Sequence, residues 1–214
     1  RIENALAIGS DGAGYAATTG NTLYAINSDG TEKWRYGIDN ESQLTGPVIA
    51  SDGTLYIGTA MGGNIYAITG SGDKKWVYSN NNSISTSPLI GPFGHIYFGD
   101  ENGSVYSLDS NGALMWRYQT HGGIFSAPIM NPYGVLYFGS LDGNVYAVNI
   151  GFHGSLHEQQ WPTLGHNPQH RSCLIPIEDA DGDGYPSPYD IFPGNPDEWF
   201  DNDHDGIGDN EDID

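Results

Sequence analysis

The chain has 214 residues, of which 27 are Asp or Glu and 7 are Lys or Arg, for a formal charge of −20 at neutral pH. A field of that sign repels nucleic acid and anionic membrane and attracts divalent cations, which disfavours DNA, RNA or membrane-inserted partners. The single cysteine, Cys173, excludes an intramolecular disulfide framework.

The sequence starts at Arg1 without an initiator Met, a signal peptide or an apolar span, and enters its first repeat almost at once. That pattern is expected of a processed product or the C-terminal part of a longer secreted protein. Self-comparison then gives four repeats with a period of about 40 residues. Tyr15, Tyr56, Tyr97 and Tyr137 form one column, Tyr24, Tyr66, Tyr106 and Tyr146 a second, and Trp34, Trp76 and Trp116 a third. Each repeat reads as an apolar entry strand, two alternating strands around a Gly-containing turn such as GDENGS or GSLDGN, and a last strand ending in W-x-Y.

Alternation with period two sends neighbouring tyrosines to opposite faces, and no stretch carries a useful helical period. The expected fold class is all-β: antiparallel four-stranded sheets stacked face to face as β-propeller blades over residues 1–150. Aromatics repeating in that setting are wedges between blades, a better reading than a carbohydrate or cofactor platform. The Asp-Gly pairs Asp11-Gly12, Asp29-Gly30, Asp52-Gly53 and Asp142-Gly143 fall at turn positions, so they read as turn chemistry and not as catalytic acids.

The strings A-x-N-x-D-G-x-x-x-W from Ala25 to Trp34, its counterpart from Ala67 to Trp76 and the looser SLDSNGALMW from Ser107 to Trp116 resemble quinoprotein-type, PQQ-like blades. The resemblance implies that each tryptophan docks its blade onto the next. Quinone-dependent dehydrogenases of this type use a motif one residue longer and close about eight blades around the cofactor. This chain has the shorter motif and four repeats, so the likeness brings no quinone site with it and no catalytic or cofactor-binding residue is assigned.

The fourth repeat stops early. Trp161 follows Tyr146 by 15 residues where Trp34 follows Tyr24 by 10, and the W-x-Y strand gives way to GFHGSLHEQQWPTLGHNPQHRS. The WPxxxHxPQH string resembles the closing stretch of bacterial PQQ-like propellers, which implies a capping and linking role for residues 151–177. His153, His157, His166 and His170 lie there with H-x3-H spacing twice. Gly and Pro around them argue against the helix a zinc site of that spacing needs, so hydrogen-bonded histidines on a capping loop are the better reading. No Ser-His-Asp order, nucleophile elbow or P-loop is present. The expected blade set is therefore part of a larger propeller, either through further blades or through self-association at open blade edges, two sets of four making a ring of eight. Cys173 is read as a buried structural thiol, with cross-linking of two chains as the alternative.

Beyond Cys173 the chain has 14 acidic residues and no Lys or Arg, so residues 178–214 carry −14 of the charge. DADGDGYPSPYD and DNDHDGIGDNED set oxygen ligands at positions one, three, five, seven, nine and twelve around a glycine at six, the spacing of a calcium loop. The first loop would use Asp179, Asp181, Asp183, the Tyr185 carbonyl, Ser187 and Asp190. The second would use Asp201, Asp203, Asp205, the Ile207 carbonyl, Asp209 and Asp212. Pro176, Pro186, Pro188, Pro193 and Pro196 leave no room for flanking helices, which predicts a helix-free calcium stalk and not an opening sensor. With the intervening FPGNPDEW, the segment resembles the thrombospondin type 3 repeat of bacterial surface proteins. That implies Ca2+ carried in series along a ligand-built rod; Ile191 stands where animal members have a bracing cysteine.

Three function classes follow. The first is a non-catalytic extracellular module: a propeller that offers a protein or glycan its surface, on a calcium-stabilised stalk, secreted or on the cell surface of a bacterium, with the periplasm as second location. The alternative is a scaffold or assembly factor of the outer-membrane-assembly propeller type. The third is a fragment of a quinone-dependent oxidoreductase, for which no contact residues can be named.

Overall fold

The structure, a computed structural model, describes residues 6–38, 43–131 and 134–150. The chain divides between Cys173 and Leu174 into two units, and every described residue lies in the first. Among the described residues fifteen strands build four antiparallel sheets, with no crossover in any of them. Blade 1 comprises β1 (Ala7–Ile8), β2 (Gly14–Ala17), β3 (Thr22–Ile26) and β4 (Glu32–Gly37). Blade 2 comprises β5 (Val48–Ile49), β6 (Leu55–Gly58), β7 (Asn64–Ile68) and β8 (Lys74–Ser79). Blade 3 comprises β9 (Leu89–Ile90), β10 (Ile96–Gly99), β11 (Ser104–Leu108) and β12 (Leu114–Gln119). Blade 4 has three strands among the described residues, β13 (Ile129–Met130), β14 (Val135–Gly139) and β15 (Val145–Asn149).

The register explains the two tyrosine columns. Tyr15 pairs with Ala25 and Ala16 with Tyr24, and the same offset recurs as Tyr56 with Ala67 and Ile57 with Tyr66. Pleating therefore turns the first column toward the following blade and the second toward the preceding one. Between each pair of blades the two faces merge into an apolar cluster. Tyr15, Leu23 and Ala25 meet Ile49, Leu55 and Ile57; Tyr56, Ile65 and Ala67 meet Ile90, Ile96 and Phe98; Tyr97 and Val105 meet Met130, Leu136 and Phe138. Each fully buried side chain of this size contributes about 1.5–3 kcal/mol relative to exposure, so the interfaces between blades, and not any single sheet, hold the arc together.

Trp34 and Trp76 act as the expected wedges, though half-buried and not sealed in. Trp34 Nε1 donates to the Gly70 carbonyl at 2.9 Å, and Trp76 Nε1 donates to the Ser110 carbonyl at 3.0 Å. Both partners lie in a turn of the next blade. The ring pairs Tyr15–Trp34, Tyr56–Trp76 and Tyr97–Trp116 repeat at 5.8, 5.6 and 5.9 Å between centroids. The Asp-Gly reading also holds. Asp11, Asp29, Asp52 and Asp142 each accept from the backbone N–H two residues on, and the glycine beside each lies at positive φ.

Five of the seven Lys and Arg residues stand on the outermost strands β4, β8 and β12: Lys33, Arg35, Lys74, Lys75 and Arg117. Those strands are the free edges of their sheets, where a long cation discourages another chain from pairing. Lys33 and Lys75 also bridge to Asp11 and Asp52 at 2.6 and 3.3 Å.

Candidate functional site

The calcium ligands expected at Asp179, Asp181, Asp183, Tyr185, Ser187, Asp190, Asp201, Asp203, Asp205, Ile207, Asp209 and Asp212 lie outside the described residues, as do the four histidines from His153 to His170, Trp161 and Cys173. Among the described residues no three His, Cys, Asp or Glu side chains gather into a metal-holding group. No helix among them is long and apolar enough to cross a membrane.

What the described residues do build is a continuous loop face at one end of the sheets. It combines the turns between the second and third strands of each blade with the segments that lead into the next blade. Backbone bonds fuse the two kinds of loop: Glu101 N–H donates to the Ser83 carbonyl at 3.0 Å, Ile124 N–H to Asp100 at 2.9 Å and Leu141 N–H to Gly123 at 3.0 Å. The segments entering blades 2, 3 and 4 share a Ser/Thr-Xaa-Pro string, Thr45-Gly46-Pro47, Thr86-Ser87-Pro88 and Ser126-Ala127-Pro128. In two of them the hydroxyl accepts from the glycine that ends a strand, Gly58 N–H to Thr45 and Gly139 N–H to Ser126, each at 2.8 Å. Gly99 admits Ile124 so closely that a Cβ there would stand 2.3 Å from its Cγ2, which forbids any larger residue.

A buried carboxylate braces the middle of this face. Asp100, 0% exposed, accepts from Ser104 N–H at 2.8 Å, the Tyr106 hydroxyl at 2.9 Å, and the amides of Asn80 and Asn82 at 3.0 and 3.1 Å. A buried carboxyl group is tolerable only when its oxygens are so fully satisfied. Glu101 next to it accepts from Ser85. Blade 4 repeats the arrangement with Asp142, which accepts from the Tyr146 hydroxyl at 2.8 Å and the His121 N–H at 3.1 Å. Desolvation raises the pKa of Asp142, but these bonds and that from Asn144 N–H outweigh it and bring the carboxyl down to about 2.

Around this polar frame the apolar side chains left in solvent stand out. Phe125 is 51% exposed, Leu141 73% and Met61 77%. Phe125 and Leu141 flank the segment entering blade 4, whose Gly123 carbonyl holds Leu141 N–H. Large apolar groups on a rigid, hydrogen-bonded frame suit contact with another protein: they have little ordering entropy left to lose and gain from desolvation. The sequence reading missed this face because its loops carry no periodicity. The recurring Ser/Thr-Xaa-Pro string before blades 2, 3 and 4 was the signal that could have found it.

Comparison with known proteins agrees with the blades. A family model described as "Outer membrane protein assembly factor BamB" matches residues 2–163. No curated protein sequence matches the chain. Among solved structures, BamB from Moraxella catarrhalis is similar with a TM-score of 0.61 at 21% identity, over 70% of this chain and 47% of that one. The computationally designed Ika4 protein gives 0.61 at 16% identity, over 71% of this chain and 92% of that one. The designed Ika8 protein gives 0.60 at 16% identity, over 70% of this chain and 46% of that one. The chain thus spans about half the length of the Moraxella protein, and these likenesses concern the fold alone.

Proposed function

The chain belongs to the outer membrane protein assembly factor BamB family, and from that premise we propose that it is a non-catalytic scaffold that holds another protein outside the cytoplasm. The observation that carries the reading is the exposure of Phe125, Leu141 and Met61 on loops whose own polar groups are tied down, with Asp100 and Asp142 engaged by tyrosine, asparagine and backbone donors. Carboxyl groups held in this way brace the loop frame.

The acidic C-terminal region adds a second binding property to the proposal. The two loops from Asp179 to Asp190 and from Asp201 to Asp212 bind Ca2+, and binding stiffens that region because some nine carboxylates repel one another until cations neutralise them. Two loops of this kind suit a medium rich in calcium, which favours the cell surface or extracellular space for the mature protein; the family itself favours the periplasm.

Affinity capture tests the scaffold reading. The chain and its Phe125→Ser/Leu141→Ser variant are immobilised and offered detergent-solubilised outer membranes of the source bacterium. A protein retained by the first and lost by the second supports the proposal. Equal retention, or none by either, contradicts it. Calorimetric titration with CaCl2 tests the tail: two binding events that Asp203→Ala and Asp205→Ala reduce to one are expected, and no heat would reject the calcium loops.

A further inference from the structure

The carboxyl groups of the loop face are not equally occupied. Asp100 takes four donors: Ser104 N–H, the Tyr106 hydroxyl and the amides of Asn80 and Asn82. Asp142 also takes four, with Asn144 N–H at 3.0 Å and the Asn144 amide at 3.1 Å on one oxygen and the Tyr146 hydroxyl and His121 N–H on the other. A carboxylate has about four lone-pair sites, so neither group has room for a further partner. Glu101 differs. It is exposed, and among the described residues it takes one donor, the Ser85 hydroxyl on Oε1, while its second oxygen accepts from none.

Three loops meet at Gly122-Gly123, which leave no space for a side chain. A Cβ on Gly123 would stand 2.5 Å from the Glu101 carbonyl oxygen and 2.7 Å from Phe125 Cε2, and one on Gly122 would stand 2.7 Å from the Leu141 carbonyl carbon. Glu101, Phe125 and Leu141 are therefore neighbours on one small patch, and all three are exposed. Position in the arc does not account for this: Met61, in the same turn of blade 2 with a blade on either side, is 77% exposed. The described loops of this face, residues 17–22, 43–47, 59–64, 80–88, 100–103, 120–128 and 140–144, contain no Lys or Arg, and His121 is the one histidine in them. The opposite end of the sheets is arranged otherwise. There Asp11 and Asp52 each find a lysine of their own blade, Lys33 and Lys75.

We propose that Glu101 is the specificity-determining residue of this face, receiving a Lys or Arg of the partner protein whose neighbouring apolar side chains cover Phe125 and Leu141. This rests on the scaffold reading and adds to it the chemistry of the partner. Charge complementarity of this kind fixes register and excludes partners of the wrong sign. The chain's own region beyond Cys173, with 14 acidic residues and no Lys or Arg, is of that wrong sign. Asp142 strengthens the attraction without making the contact, since its carboxyl, at about 2, is ionised throughout the neutral range and its four donors are all neutral.

The test reads the yield of covalent adduct from a photo-crosslinking phenylalanine placed at Leu141 of the full chain in its source cell. Glu101→Lys should lower that yield about tenfold or more, and Glu101→Gln, which keeps an acceptor for Ser85, about threefold. Asp73→Lys makes the same change of net charge at an exposed turn of the opposite end, between β7 and β8, and should leave the yield unchanged. Mass spectrometry of the adduct should find a Lys or Arg within a few residues of the cross-linked site, and replacing that cation with Glu should restore the yield in the Glu101→Lys chain. An adduct indifferent to both Glu101 variants, one weakened equally by Asp73→Lys, or a charge swap that restores nothing would overturn the proposal and leave the scaffold reading standing. No adduct from the chain with Glu101 intact would remove both.

Discussion

Val105 in blade 3 and Val145 in blade 4 pair with equivalent glycines, Gly99 and Gly139, in equivalent strands. One is 0% exposed and the other 79%. The same contrast separates Gly112, pressed by the Trp76 indole, from Gly30, whose Cβ position has no described atom within 4 Å. Burial in this molecule is therefore not a property of a residue or even of a sheet. It is conferred by the neighbouring blade, as the near-independence of repeats in stacked architectures requires.

The comparison breaks most visibly when a charge is placed in each member of the pair. Val105→Asp should cost about 4 kcal/mol or more, because an unpaired carboxylate would enter a sealed apolar interface, whereas Val145→Asp should change the stability of a single copy by no more than about 0.5 kcal/mol. Urea unfolding of the two variants at a concentration that keeps the chain monomeric gives both numbers; similar losses would mean that the front face of blade 4 is already covered. Next comes the indole that joins blades 2 and 3. Trp76→Ala removes a half-buried wedge and its bond to the Ser110 carbonyl, and a loss of about 3 kcal/mol in the same assay is expected.

A smaller effect sharpens the glycine contrast. Both Gly112→Ala and Gly30→Ala pay about 1–2 kcal/mol for a side chain at positive φ. Only the first must also push back an indole, so it should lose about 1–2 kcal/mol more, as read from the difference in urea midpoints. Equal losses would show that Gly30 too is roofed.

The smallest effect is on pH. Asp142 is held at about 2 in the folded state, below its ordinary value, and Asp11, Asp52 and Asp109 are lowered as well. A carboxyl depressed on folding stabilises the fold fully above its unfolded pKa, and that stabilisation disappears as pH falls through the folded one. Melting temperature should therefore be flat near neutrality and decline from about pH 4 toward pH 2. Asp142→Asn should flatten that decline, and an unchanged profile would remove Asp142 from the account.

The propeller was legible because its signal is repeated. Period-two alternation, the tyrosine columns and the W-x-Y ending each recur, and the structure places every one of them at the expected face. Even the docking role of Trp34 and Trp76 could be read from the strings that carry them. The loop face was hidden for a physical reason. Asp100 is braced by Asn80 and Asn82, 20 and 18 positions away, in segments that have neither apolar period nor turn signature of their own. The exposure of Val145 was equally invisible, since Val145 looks like Val105 until the stacking is known.

The central claim is that the loop face around blade 4 meets another protein. Phe93 offers a matched control, being 80% exposed at the opposite end of blade 3, in the 3-10 turn Pro92–Gly94. A photo-crosslinking phenylalanine placed at Leu141 or at Phe93 in the living source cell reports what touches each position. The account predicts a discrete covalent adduct with one envelope protein from position 141 and none from position 93. Adducts from position 93 alone, or from neither, would contradict it.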